Sequence, residues 1–158
     1  MTLDQIETFL AARKLKYRRE PEQIVTGFET RRFRDDRGRS GIAIVVRLEE
    51  QGRYLEIVAP GLYCSRGCGH QAALFQVLLD ITMRTKLIRF EHDPADGEVR
   101  CTVELPIEDG GVTARQFQRM LDGLVEAVDR WHPVIRRAID AGTVGLEMPR
   151  DLPVATPA

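Results

Sequence analysis

Apolar residues in this chain recur near every 3.6 positions in three stretches and every second position between them, so helices and strands can be placed from the pattern. Leu3, Ile6, Phe9 and Leu10 share one helical face, and Thr2 with Gln5 three residues later forms a capping box. A first helix is predicted from Leu3 to about Lys14. Its apolar face is short, so it needs a larger body to dock on. Ile24-Val25-Thr26-Gly27-Phe28 follows as a brief β-rich segment. Arg31 to Gly41 is charged and bounded by glycine, the composition of a long exposed turn. Ile42, Ile44, Val46 and Leu48 then alternate as a strand, Gln51-Gly52 supplies a turn, and Tyr54 to Ala59 returns as the next strand, ended by Pro60-Gly61.

A second helix is predicted over roughly Gln71 to Lys86. Leu74, Val77, Leu78 and Ile81 form one stripe, while Phe75, Leu79 and Met83 widen it. A helix apolar over so much of its circumference must be covered on more than one side. A sheet covers one group. Phe75, Leu79 and Met83 are then the candidate partner-binding residues, most simply for a second copy of the chain in a homodimer, unless the first helix folds over them.

Next comes a hairpin. Ile88, Phe90 and His92 alternate with polar neighbours, as do Val99, Cys101, Val103 and Leu105 beyond the Pro94-Ala95-Asp96-Gly97 turn. A four-residue turn pairs positions whose numbers sum to 191, placing Phe90 opposite Cys101 inside and Glu91 opposite Arg100 outside. Thr113 and Gln116 form a second capping box, and Phe117, Leu121, Leu124, Val128, Trp131 and Ile135 continue as a seam of steps of three and four. Pro133 lacks an amide hydrogen and is expected to kink this last helix or restart it, with His132 at the restart. The result is an α+β fold ordered α-β-β-β-α-β-β-α, with a five-stranded, mainly antiparallel sheet packed by helices. It occupies residues 1–142, followed by a Pro-rich C-terminal tail over residues 143–158.

Composition narrows the function classes. The 158 residues suit one domain with a substantial core, and a net charge of -1 gives no overall attraction to nucleic acid or anionic lipid. Ten basic and five acidic residues between Arg13 and Arg39 make that stretch locally +5, but the two signs are interleaved. Only Tyr17, Phe28 and Phe33 are there to stack on bases, so a solvated face is the reading and no nucleic-acid partner is expected. No apolar run approaches about 18 residues, so no membrane span is expected. Asp4 and Glu7 break the pattern of a signal peptide, and three cysteines are an odd number for a secreted disulfide framework. A cytoplasmic location is expected.

Several short strings, taken in order, resemble one family. They are Ile57-Val58-Ala59-Pro60 before a loop and helix, Ile88-Arg89-Phe90-Glu91-His92-Asp93 with Gly97-Glu98-Val99-Arg100, and Val103-Glu104-Leu105-Pro106 with an acidic-glycine turn, Thr113, Phe117 and a late helical Pro133. Together with the element order, these resemble the bacterial YbjN-like proteins, described as sensory transduction regulators and related in fold to the class I type III secretion chaperones. The resemblance covers about residues 3 to 140. It implies a type III secretion chaperone-like fold and a chaperone-like or regulatory role in binding a protein partner, and it brings no catalytic residues. Dimers among the related secretion chaperones agree with the homodimer expected from the second helix.

The loop Cys64-Ser65-Arg66-Gly67-Cys68-Gly69-His70 departs from that family. Cys64, Cys68 and His70 are the one cluster with metal-ligand character, yet a structural zinc site wants four such ligands, only three lie together, and their spacing is not that of the usual knuckle. His92 and Cys101 complete a set only if the fold brings them near. Gly67 and Gly69 with Arg66 suggest an anion site at the helix start, but match no phosphate-binding motif. Ser65 and His70 share the loop without a positioned acid or an oxyanion motif. The reading is therefore a non-enzymatic protein-binding module without a cofactor, with a thiol- or metal-responsive sensor built on Cys64, Cys68 and His70 as the alternative.

Overall fold

Two capping boxes open the first and last helices, because in each a threonine hydroxyl accepts from an amide that the helix leaves free. In the computed structural model, which describes residues 1–147, Thr2 accepts from the Gln5 amide to start α1 (Leu3–Ala12), and Thr113 accepts from that of Gln116 to start α3 (Ala114–Ala141). Between them run β1 (Tyr17–Arg19), β2 (Gln23–Phe28), β3 (Ile42–Glu49), β4 (Tyr54–Cys64), α2 (Gln71–Arg84), β5 (Ile88–His92) and β6 (Glu98–Pro106). Part of the expected tail, residues 148–158, lies outside the described residues. Residues 143–147 form neither helix nor strand.

The strands make one antiparallel sheet in the order β1-β2-β3-β4-β6-β5, six strands where the sequence pattern gave five. The extra strand is Tyr17–Arg19. All three of its residues are exposed, so no inward position marks it. It is held by pairing with β2, Arg19 opposite Ile24. One cross-strand row, Ile24–Val46–Ile57–Val103–Ile88, is buried through five strands and joins the core beneath the helices. The next row, Val25–Val45–Val58–Thr102–Arg89, lies on the opposite face. On that face long paired side chains shade the centre, among them Arg47 with Glu56 at 3.2 Å and Arg100 with Glu91 at 2.9 Å.

β4 does not stop at Pro60-Gly61. Its register against β6 shifts between Ala59 and Tyr63, and this irregularity absorbs a proline that has no amide to give the ladder. Gly61 takes a left-handed φ of +62° there, and its amide donates to Glu98 Oε1 at 2.6 Å. The last helix does not restart at Pro133. It continues through Pro133 as one element, and Val128, Trp131, His132 and Ile135 on either side of the proline are all buried. Packing along the seam holds a helix that local preference would interrupt.

The helices divide the sheet among them. α1 packs against β2 and α3, with the rings of Phe9 and Phe117 5.7 Å apart, while α2 packs against β5 and α3. Since β2 and β5 lie towards opposite edges, α1 and α2 sit at opposite ends with α3 between. The charged segment between β2 and β3 is not a free turn either: Phe33 is only 3% exposed.

Candidate protein-docking surface

α2 begins at Gln71 after a loop tied to the hairpin turn. Ser65 donates its amide to Gly97 O at 2.8 Å, its hydroxyl meets His92 Nε2 at 2.9 Å, and Gln71 Nε2 donates to Ser65 O at 2.8 Å. Arg66 reaches the carbonyl of Ala95. At the other end, the Thr85 hydroxyl donates to Ile88 O at 2.8 Å and fixes the passage from α2 into β5. The helix is thus anchored at both ends, which sets its rotation about its own axis.

That rotation buries Leu74, Val77, Leu78 and Ile81 and turns Leu79 and Met83 outward, with Phe75 at the border, packed against the core. Leu79 is 68% exposed and Met83 86% exposed; Phe75 is half-buried, its ring 4.7 Å from that of His92. These three are spaced by four and share a helical face. The sequence pattern missed one further exposed apolar residue near the end of α2. Leu87 follows α2, is 64% exposed and has a φ of +65°. A left-handed leucine costs about 1–2 kcal/mol of backbone strain, and here the strain accompanies an apolar side chain kept in water. Leu79, Met83 and Leu87 are three of the five large apolar side chains exposed among the described residues, and all lie in or just beyond α2.

On the face of the sheet turned away from α2, the hairpin carries charge. Glu91 faces Arg100 across the strands and also meets Arg89 at 2.6 Å. Burial pushes the Glu91 carboxyl up, but hydrogen bonds and charge from Arg100 and Arg89 outweigh it and hold it below the usual carboxylate range. The pairs leave the outward side of the edge strand polar but internally satisfied. The helix face is left as the apolar surface.

The other candidate residues do not assemble. Cys64 is exposed at the end of β4, Cys68 is half-buried with its Sγ 3.8 Å from Ile139 O, and His70 is exposed before α2. His92 is engaged by Ser65, and Cys101 is fully buried, with burial pushing its thiol far up. Among the described residues no group of three or more His, Cys, Asp or Glu side chains is placed to hold a metal ion. No helix among them is long and apolar enough to cross a membrane.

This architecture, an antiparallel sheet with three helices on one face, is the type III secretion chaperone-like fold. The chain belongs to the YbjN family, whose model, described as "Putative bacterial sensory transduction regulator", matches residues 2–137. Among solved structures, the crystal structure of YbjN from E. coli superposes with a TM-score of 0.60 at 11% identity, covering 85% of this chain and 93% of that one. The ExsC–ExsE complex gives 0.53 at 14% identity, with 84% and 94% covered. The HopA1–SchA chaperone–effector complex gives 0.51 at 12% identity, with 80% and 88% covered. No curated protein matches the chain.

Proposed function

We propose that this chain is a non-enzymatic protein-binding module, chaperone-like or regulatory, and that the outer face of α2 is its contact with a second copy of itself. The carrying observation is that Leu79 and Met83 on α2, with Leu87 just beyond it, are apolar and exposed, with Phe75 half-buried on the same helix face, while the other stripe of α2 is already buried. Apolar side chains gathered on one exposed face, rather than scattered, mark an interaction surface. α1 does not relieve them, since it packs against β2 and α3. The fold supports a protein partner as well: two structures similar to this chain are complexes of two proteins, one of them a chaperone with its effector. A helix face suits a homodimer because two-fold symmetry lays the same stripe against itself.

Sedimentation equilibrium of the purified chain tests this reading. A dimer is expected for the native sequence and a folded monomer for Leu79→Glu with Met83→Glu, whose positions make no demand on the core. A native chain that stays monomeric at every concentration, or a double variant that remains dimeric, overturns the assignment to α2.

A further inference from the structure

The Arg-rich segment 30–41 is strapped to α3 through three consecutive backbone amides. Asp129 Oδ1 accepts from the amides of Arg32 at 2.7 Å and Phe33 at 2.9 Å. His132, one turn further along α3, accepts the next amide, that of Arg34, on Nε2 at 3.4 Å. The strap is braced at its base by Thr30, whose hydroxyl donates to Phe33 O and accepts from the Gly41 amide. Phe33 points inward, its ring edge-on to His132 at 5.0 Å and to Tyr63 at 6.0 Å.

The hydrogen bonds fix the state of His132. A backbone amide can only donate, so Nε2 must carry a lone pair and the ring proton sits on Nδ1. Nδ1 then donates to Tyr63 Oη at 3.0 Å, with the two rings stacked. A second proton on the ring would go to Nε2 and set two donors against each other across the Arg34 contact. The surroundings hold that proton off. Burial and the charges of Arg136 and Arg34 push His132 down to about 4, against opposing pulls from Asp129 and Asp140; Tyr63 faces it from β4 and is itself driven far up by burial.

We propose that His132 is a proton-operated latch. Protonating Nε2 removes the acceptor of the Arg34 amide and places a charge in a buried site, and the strap, left with the two Asp129 bonds alone, comes away from α3 while the sheet stays paired. Release uncovers Phe33 together with the backbone of Arg31–Arg34, so the device exchanges a closed, self-satisfied segment for a basic, aromatic one.

Amide exchange and ring-carbon shifts of the full chain, followed by NMR from neutral pH down to acid, test the latch. His132 is expected to titrate well below 6.5. The amides of Arg32, Phe33 and Arg34 should lose protection by about tenfold or more with the same midpoint, while those of Phe90 and Cys101 in the hairpin hold. Asp129 is the other titratable acceptor, so the variants are His132→Gln and Asp129→Asn, with the hairpin amides reporting folding in each. The acid step should vanish in the first and persist in the second. Strap amides that stay protected after His132 titrates, that fail only together with the hairpin, or that keep their step in His132→Gln overturn the latch.

Discussion

Gly142 and His70 meet where the end of α3 reaches the start of α2: a β-carbon built on Gly142 would lie 2.7 Å from His70 Nδ1. Gly142 also closes α3 in the left-handed conformation, φ +64°, with its amide donating to Ala138 O. Two costs therefore meet at one position. Gly142→Ala should lower stability by about 1–2 kcal/mol from backbone strain alone, measured by urea denaturation. His70→Ala in the same chain should recover only the steric part, because the exposed imidazole can move and φ cannot.

Acid should weaken the fold through His132. Its folded value of about 4 lies below the ordinary 6.5, so between those limits the unfolded chain binds more protons than the folded one. Stability then rises with pH across that window, and falls progressively as pH drops from 6.5 towards 4. Denaturation midpoints taken at half-unit pH steps should show this slope in the native chain and a shallower one in His132→Gln. Equal slopes would remove His132 as a source of the acid sensitivity.

Glu91 and Arg100, paired across the hairpin at 2.9 Å, should couple by less than ~1 kcal/mol. Arg100 is more than a third exposed, and Glu91 has Arg89 as a second partner, so loss of one cation is partly compensated. A double-mutant cycle with Glu91→Gln and Arg100→Gln measures the coupling. It should shrink further in molar salt, whose screening length falls to about 3 Å.

The cysteines should separate by burial. Cys64→Ser with Cys68→Ser changes side chains that are exposed or half-buried, and the melting temperature should hardly move. Cys101→Ser places a hydroxyl at a fully buried position opposite Phe90 and should cost about 1–3 kcal/mol if no partner is found. Zinc in the purified chain, or a large fall for the double variant, would contradict a purely structural loop.

What the sequence disclosed follows from where periodicity survives. The hairpin register was readable because alternation on both sides of a turn of known length leaves one solution, and Phe90 does face Cys101, with Glu91 facing Arg100. Both helix starts were readable from their threonines and glutamines. The outward stripe of α2 was visible as an excess of apolar positions, but Leu87 was not, since it lies past the helix and obeys no period. β1 escaped because it buries nothing, and the second half of β4 because Pro60-Gly61 reads as an ending. The strap was invisible for a different reason. Its anchors, Asp129 and His132, lie about a hundred positions away on α3, and a single Phe33 inside a run of arginines leaves no pattern to extrapolate.

The place of β6 beside β4 has a consequence for how the chain assembles. β1 to β4 pair in succession, each with the strand just before it, and β5 and β6 form a local hairpin, so both halves can organise from contacts close in sequence. Only the β4–β6 ladder, from Tyr54 opposite Pro106 to Cys64 opposite Glu98, must close a loop that contains a whole helix and a strand. Closing that loop costs chain entropy before the buried row across Ile57 and Val103 repays it. The two halves therefore meet along one central seam, where the strand pairing most distant in sequence carries the buried row from one half of the sheet to the other.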